Sequence, residues 1–297
     1  NGELLVLQPS ANRFNLGSIK RYAWDGRKLS SAPLMGLHHD MDVAPDGSLL
    51  TLADVRGTEM VRGMKILDNE LVRIPANYAP PERLSLFAAT SENDVDFSLL
   101  RRRIRFSDTE DLTDLFHCNS VEWMADAELA ERNSVYGLSN ALVSCRHQDS
   151  LFVFDFDRKA LVWAWGQDEI SGAHDASVLP NGNFLLFDNG LARQRSRVIE
   201  LDPLTKRIVW QYDGGKDSFF TVANGTAQRL PNGNTFMAIS GIGELREVTP
   251  DGEIVWRFTS TQRMPNGEIA TLARARRYGA HLIEPHLTGH SDTTGPE

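Results

Sequence analysis

Three tryptophans recur at nearly constant spacing: Trp163 in KALVWAWGQ, Trp210 in KRIVWQYDG and Trp256 in GEIVWRFTS, 47 and 46 residues apart. Upstream of each runs a second short apolar segment: LFVFDFD from Leu151, RVIELDP from Arg197 and LREVTPDG from Leu245. Each pair reads as two alternating strands joined by a turn rich in Asp, Pro, Gly or Lys. A further pair, HDASVLPNGNFLLF from His174 and GTAQRLPNGNTFMA from Gly225, shows a strand, a Pro-Asn-Gly turn and another strand. There the Asn-Gly step supplies the positive φ that a tight hairpin needs.

Joined, these segments make a unit of four short antiparallel strands in 46–47 residues. That is the length and grammar of a β-propeller blade. HHDMDVAPDGSLLTL, from His38, has the same pattern, with Pro45 lying 135 residues before Pro180, close to three blade lengths. HCNSVEWMAD, from His117, is a degenerate copy whose hairpin is swollen by an insertion through Tyr136. ELLVLQP and SIKRYAW, together with the later GEIATLARARRY, are expected to share a closing blade. The fold class is therefore all-β, a single propeller over residues 1–285, expected to have six blades, of which five are visible. Residues 75–116 break the pattern; ERLSLFAAT and DFSLLRRRIRF have near-helical apolar spacing and predict a partly helical excursion on one rim. Residues 286–297 read as an exposed tail.

Composition narrows the partners. A net charge of −9 argues against nucleic acid, which favours a basic surface. The basic run from Arg101 to Arg105 reads as a solvated helix face. No apolar run approaches the roughly 18 residues that span a bilayer. The first residue is Asn1 rather than Met, which leaves room for a signal peptide already removed.

One column of the repeat carries chemistry. His39, His174 and Gly225 each lie six residues before the turn proline, and His117 takes the corresponding place in the degenerate copy. The first strand of each blade lines the channel, so the three imidazoles should face one another there. The register leaves room for His38 to exchange roles with His39. The remaining five histidines, His38, His147, His281, His286 and His290, read as surface or neighbouring residues. Clustered imidazoles suit a transition metal or nucleophilic and acid–base catalysis. The column holds no carboxylate, and Asp40 and Asp175 alternate away from their histidines, which argues against a metal. Asn119 follows His117 by two positions, and Arg146 ends the next strand. With its planar fork of donors, Arg146 suits a tetrahedral oxyanion such as sulfate or phosphate.

HCNSVEW, NALVSCRHQDSLFVFDFDRKALVWAWG, HDASVLPNGNFLLFDNG and TAQRLPNGNTFM resemble the corresponding stretches of the bacterial arylsulfotransferase family. The resemblance runs from about Leu112 to Trp256. It implies a six-bladed propeller that moves a sulfuryl group from an aryl sulfate donor to a phenolic acceptor, without a nucleotide cofactor, through a transiently sulfated histidine. Residue by residue, His174 matches the nucleophile, His39 and His117 its flanking histidines, and Asn119 and Arg146 sulfate-contacting positions. Thr226, or its neighbour Asn224, falls near a threonine of the family. The resemblance also implies a periplasmic or secreted setting.

Cys118 and Cys145, beside two of these residues, are expected as buried thiols, with a cross-strand disulfide as the alternative. Two other functions remain open at this stage. One is a lyase or hydrolase acting on another anionic substrate in the channel; the other is a non-catalytic binding propeller.

Overall fold

The computed structural model describes residues 3–287 apart from 13, 78, 92, 94, 102–103 and 107–110. It forms five antiparallel sheets arranged as propeller blades. The first holds β1 (Glu3–Gln8), β2 (Leu16–Ala23) and β3 (Lys28–Met35). The second holds β4 (Leu37–Val43), β5 (Leu49–Val61), β6 (Met64–Ile74) and β7 (Glu82–Ser85), with β8 (Leu112–Asp114) running parallel to β6. The third is β9 (Cys118–Trp123), β10 (Asn140–Cys145), β11 (Ser150–Asp155) and β12 (Ala160–Trp165). The fourth is β13 (His174–Val178), β14 (Phe184–Asp188), β15 (Arg197–Asp202) and β16 (Arg207–Tyr212). The fifth is β17 (Thr226–Arg229), β18 (Thr235–Ile239), β19 (Glu244–Val248) and β20 (Ile254–Thr259).

The tryptophan period has a structural cause. Trp163 on β12 donates its indole N–H to the carbonyl of Pro203, and Trp210 on β16 donates to Pro250. Each outer strand thus latches onto a turn of the following sheet, while its ring covers apolar core. Trp256 on β20 has the guanidinium of Arg277 4.6 Å above its ring instead. Four apolar clusters fill the spaces between successive sheets, led by residues such as Leu37, Phe152, Phe184 and Phe187.

Inner strands are joined by one repeated contact. Asp40 accepts a hydrogen bond from the backbone N–H of Val121, Ser120 from Ala176, Asp175 from Ala227, and Thr226 from Ala275. A polar side chain on each inner strand therefore satisfies the backbone of the next strand around the ring, where no ladder connects separate sheets.

Several expectations need correction. The blades number five, not six. The 135 residues between Pro45 and Pro180 contain two blade steps, lengthened by the 13- and 11-residue strands β5 and β6 and by the excursion that follows. GEIATLARARRY forms no strand with β1 among the described residues. It lies along β17, where Arg277 N–H donates to Gln228 and Ser240 donates to the carbonyl of Leu272. Arg274, Arg276 and Arg277 carry it across the channel as ion pairs with Asp40, Asp175 and Glu247.

Among the described residues the excursion is helical only at α1 (Leu86–Ser91); Asp96–Leu100 of the expected helix have no regular structure. Of the basic run, Arg102 and Arg103 lie outside the described residues. The insertion before Tyr136 folds as α2 (Ala127–Arg132), capped by the Asp126 side chain, and a 3₁₀ turn over Ser134–Tyr136. A helix α3 (Ala280–Leu287) takes in the start of the expected tail; His290 and the rest of that tail lie outside the described residues.

Candidate active site

A compact cavity of about 140 Å³ opens at one end of the channel, walled by His39, Asn119, His174, Asp175, Asn224, Gly225, Thr226, Ala273 and Arg274. None of the larger clefts, including one of about 550 Å³ between Gln211–Asp217 and Asp251–Ile254, is lined by a histidine. Four of the ten described non-glycine residues with positive φ lie at or beside this cavity. His39, His117, Asp175 and Asn224 all adopt left-handed φ of 47–59°, which non-glycine residues avoid unless their surroundings impose it. That twist turns Asp175 into the cavity wall, where simple strand alternation would point it away.

The ring of inter-strand bonds corrects the column. Ser120 occupies the place of Asp40 and Asp175, so Asn119, not His117, is the counterpart of His39 and His174. His117 lies two residues earlier, ahead of β9, with its ring centroid 5.2 Å from that of His39. The copy that carries it lacks the turn proline, so the sequence offered no anchor for the register.

His174 is buried and its tautomer is fixed. Its Nδ1 lies 2.7 Å from Oδ1 of Asn189 and 2.9 Å from the carbonyl of Gly172. Asn189 in turn donates its amide to the carbonyls of Thr221 and Asn224, so it presents its oxygen to the ring. Facing two acceptors, Nδ1 must carry the hydrogen, which leaves the lone pair on Nε2. That Nε2 accepts a 3.3 Å hydrogen bond from the backbone N–H of Asn224. Burial pushes the His174 imidazole down to about 4; its bonds to Asn189 and Gly172 oppose the shift, and the charges of Arg146 and His117 reinforce it. The ring is neutral at ordinary pH.

Across from it, His117 donates from Nδ1 to Asp114 at 2.6 Å, and His147 bonds through Nδ1 to the Asp114 carbonyl at 2.7 Å. Burial alone would raise Asp114, but the hydrogen bonds and charge of these two histidines hold its carboxyl well below the ordinary range. His147 and His38 are therefore not surface residues. Asp114, His117 and His147 bring ligand atoms within 4.8 Å of one another. Both rings direct Nδ1 at Asp114, which fixes their orientation.

Asn119 is buried and donates to the carbonyl of Ala173 at 2.8 Å, while its Oδ1 has no hydrogen-bond partner among the described residues. Thr226 lines the cavity with its hydroxyl engaged by the backbone of Ala275. Arg146 begins a 3₁₀ turn just after β10, its backbone N–H bonded to the carbonyl of His117; it is not in the cavity wall, though its charge reaches His174. Cys118 and Cys145 form a disulfide, so the expectation of free thiols is wrong. A register shift beside Cys145 places the two residues opposite each other on β9 and β10, and the bond clamps the segments bearing His117, Asn119 and Arg146.

Sequence reasoning missed Arg274, whose guanidinium lies in the cavity wall, and Asn189, which fixes the His174 tautomer. Asn189 stood in view within the NFLLFDNG block, but nothing in the spacing linked it to His174.

The fold and site define a five-bladed β-propeller with a buried histidine cavity on its axis. The family profile described as arylsulfotransferase (ASST) matches residues 16–261, and the chain belongs to that family. No curated protein matches it significantly in sequence. Similar solved structures include a protein of unknown function from Bacteroides caccae, at 14% identity and a TM-score of 0.50, covering 87% of this chain and 82% of that one. Another is the Dos1 propeller, at 11% identity and 0.47, covering 88% and 56%. A third is virginiamycin B lyase from Staphylococcus aureus, at 9% identity and 0.47, covering 90% and 75%. At these identities the likeness concerns the fold alone.

Proposed function

We propose that the protein transfers a sulfuryl group from an aryl sulfate to a phenol through a covalent adduct on Nε2 of His174. The observation that carries this reading is the fixed, uncharged His174: Nδ1–H is held by Asn189 and Gly172, and Nε2 is turned to a small cavity beside Arg274. A nucleophile needs a lone pair at the reacting atom, and a tautomer fixed in advance avoids reorganisation during the reaction.

In the first half, Nε2 attacks sulfur while the bond from sulfur to the aryl oxygen breaks and a phenolate leaves. Arg146 and Arg274 offset the charge on the sulfuryl oxygens. The Asn224 N–H, bonded to Nε2 at rest, then becomes available to one of those oxygens. In the second half, a phenol oxygen attacks the same sulfur and the electron pair of the S–N bond returns to Nε2. The unpartnered Oδ1 of Asn119 favours a ligand that brings a donor, as a phenol hydroxyl does. We further assign the protein to an oxidising compartment, periplasmic or secreted, because the Cys118–Cys145 disulfide persists where thiols are not kept reduced.

The reading is tested by incubating the protein with 4-nitrophenyl sulfate, with and without phenol. Release of 4-nitrophenol that accelerates with phenol, and that is lost in His174→Ala, supports it. A folded protein inert toward aryl sulfates refutes it.

A further inference from the structure

His39, itself exposed, meets the cavity in front of a chain of buried side chains. Its Nδ1 lies 2.6 Å from Nδ1 of His38, and Nε2 of His38 lies 3.1 Å from Oδ1 of Asp54. The side chains of His38 and Asp54 are only 4% and 1% exposed, so neither contributes to solubility. Asp54 also accepts from the Asn69 amide at 2.7 Å, and Asn69 accepts the backbone N–H of Cys118 at 2.8 Å. The carboxylate on β5 is thereby tied through β6 to the start of β9, next to His117.

Only one hydrogen fits between two Nδ1 atoms 2.6 Å apart. When the hydrogen of His38 sits on Nε2, which lies 3.1 Å from Asp54 without completing a hydrogen bond to it, Nδ1 of His38 is the acceptor and Nδ1 of His39 the donor. His39 then addresses the cavity it lines through Nε2, as a base. A proton gained there would make a cation in a space whose wall carries Arg274, paired with Asp40, and Asp175, paired with Arg276, and which feels the field of Arg146. Moving the charge one ring back sets it against a buried carboxylate instead.

We propose that His38 and Asp54 are positioning residues that form a proton relay behind His39, and that this relay lets the site use weakly acidic phenols as acceptors. The proposal rests on the sulfuryl-transfer reading above. As the phenol oxygen bonds to sulfur, the S–N bond of sulfated His174 breaks and its electron pair returns to Nε2. The phenol proton passes to Nε2 of His39. The Nδ1 proton of His39 passes to Nδ1 of His38, whose imidazolium lies against Asp54. The reverse sequence protonates the leaving oxygen when the donor is the sulfate ester of a weakly acidic phenol.

Asp54→Asn keeps the shape of the side chain and its place beside Asn69, while removing the charge. It is compared with wild type using 4-nitrophenyl sulfate as donor and two acceptors, phenol and a strongly acidic phenol already ionised at the assay pH. Formation of the His174 adduct should be unchanged, since 4-nitrophenolate leaves without help. Transfer to phenol should fall by about 10²-fold, the scale of a lost acid–base contribution, and transfer to the ionised acceptor by less than about threefold. A merely structural role would slow both acceptors alike, and that result, or no loss with phenol, overturns the relay. His38→Gln repeats the comparison should Asp54→Asn fail to fold, as judged by circular dichroism. Failure of wild type itself to form an adduct overturns the reading on which the relay rests, and is seen before any variant is compared.

Discussion

The two walls of the cavity treat their imidazoles in opposite ways. On the wall built by β13 and β14, His174 gives its Nδ1–H to an amide oxygen and a peptide carbonyl, neither of which carries charge. On the wall built by β4 and β9, His38 lies against Asp54 and His117 against Asp114. Uncharged acceptors fix the tautomer and favour the imidazolium less than burial opposes it, so the ring stays neutral. On the second wall each of these rings has a buried carboxylate beside it. As proposed above, one wall attacks sulfur and the other carries protons.

Predictions that break this contrast can be ranked by expected effect. His174→Ala removes the attacking atom and should lower turnover by roughly 10⁴-fold, measured with a chromogenic aryl sulfate. Next, Asn189→Asp places a carboxylate behind His174 and makes the first wall resemble the second. The imidazole should then protonate more readily, and the acid limb of adduct formation should move to higher pH in stopped-flow traces. Asn189→Ala leaves the tautomer less firmly held; losing one buried partner costs about 1–3 kcal/mol, which corresponds to a rate loss of about 5- to 150-fold.

Smaller still is the effect of reducing Cys118–Cys145, which closes a loop of 27 residues and should stabilise the fold by about 2–4 kcal/mol. Thermal unfolding with and without reductant checks this. Acid should also act on stability through His174. Its pKa is depressed to about 4 in the folded state, so between about pH 6.5 and pH 4 the unfolded chain binds a proton that the folded one does not. Stability should fall as pH falls through that window, and His174→Gln should flatten the slope in denaturant titrations.

The sequence made the regular half of the molecule legible because its spacing has a physical basis. Trp163 and Trp210 each bind a turn of the following sheet, and the Pro-Asn-Gly turns mark the inner strands, so period and register could both be read. Where those markers are missing, reading failed. The His117 copy has α2 in place of the turn, which hid the two-residue offset between His117 and the true column. Arg274, Arg276 and Arg277 lie in a segment that follows neither strand nor helix periodicity. It is held by ion pairs to residues distant in sequence, and nothing local foretells them. His38 looked interchangeable with His39 because alternation assigns one of them to the channel; the left-handed turn at His39 sends the two rings to different tasks.

The central claim is that Nε2 of His174 carries the sulfuryl group. Peptide mapping by mass spectrometry, after a single turnover with an aryl sulfate and no acceptor, tests it most directly. The account predicts one sulfuryl group on His174, formed at a rate that stays level from about pH 7 to about pH 5 and halves near pH 4. A sulfuryl group found on His39 or His117 instead, or turnover with no adduct on any histidine, would contradict it.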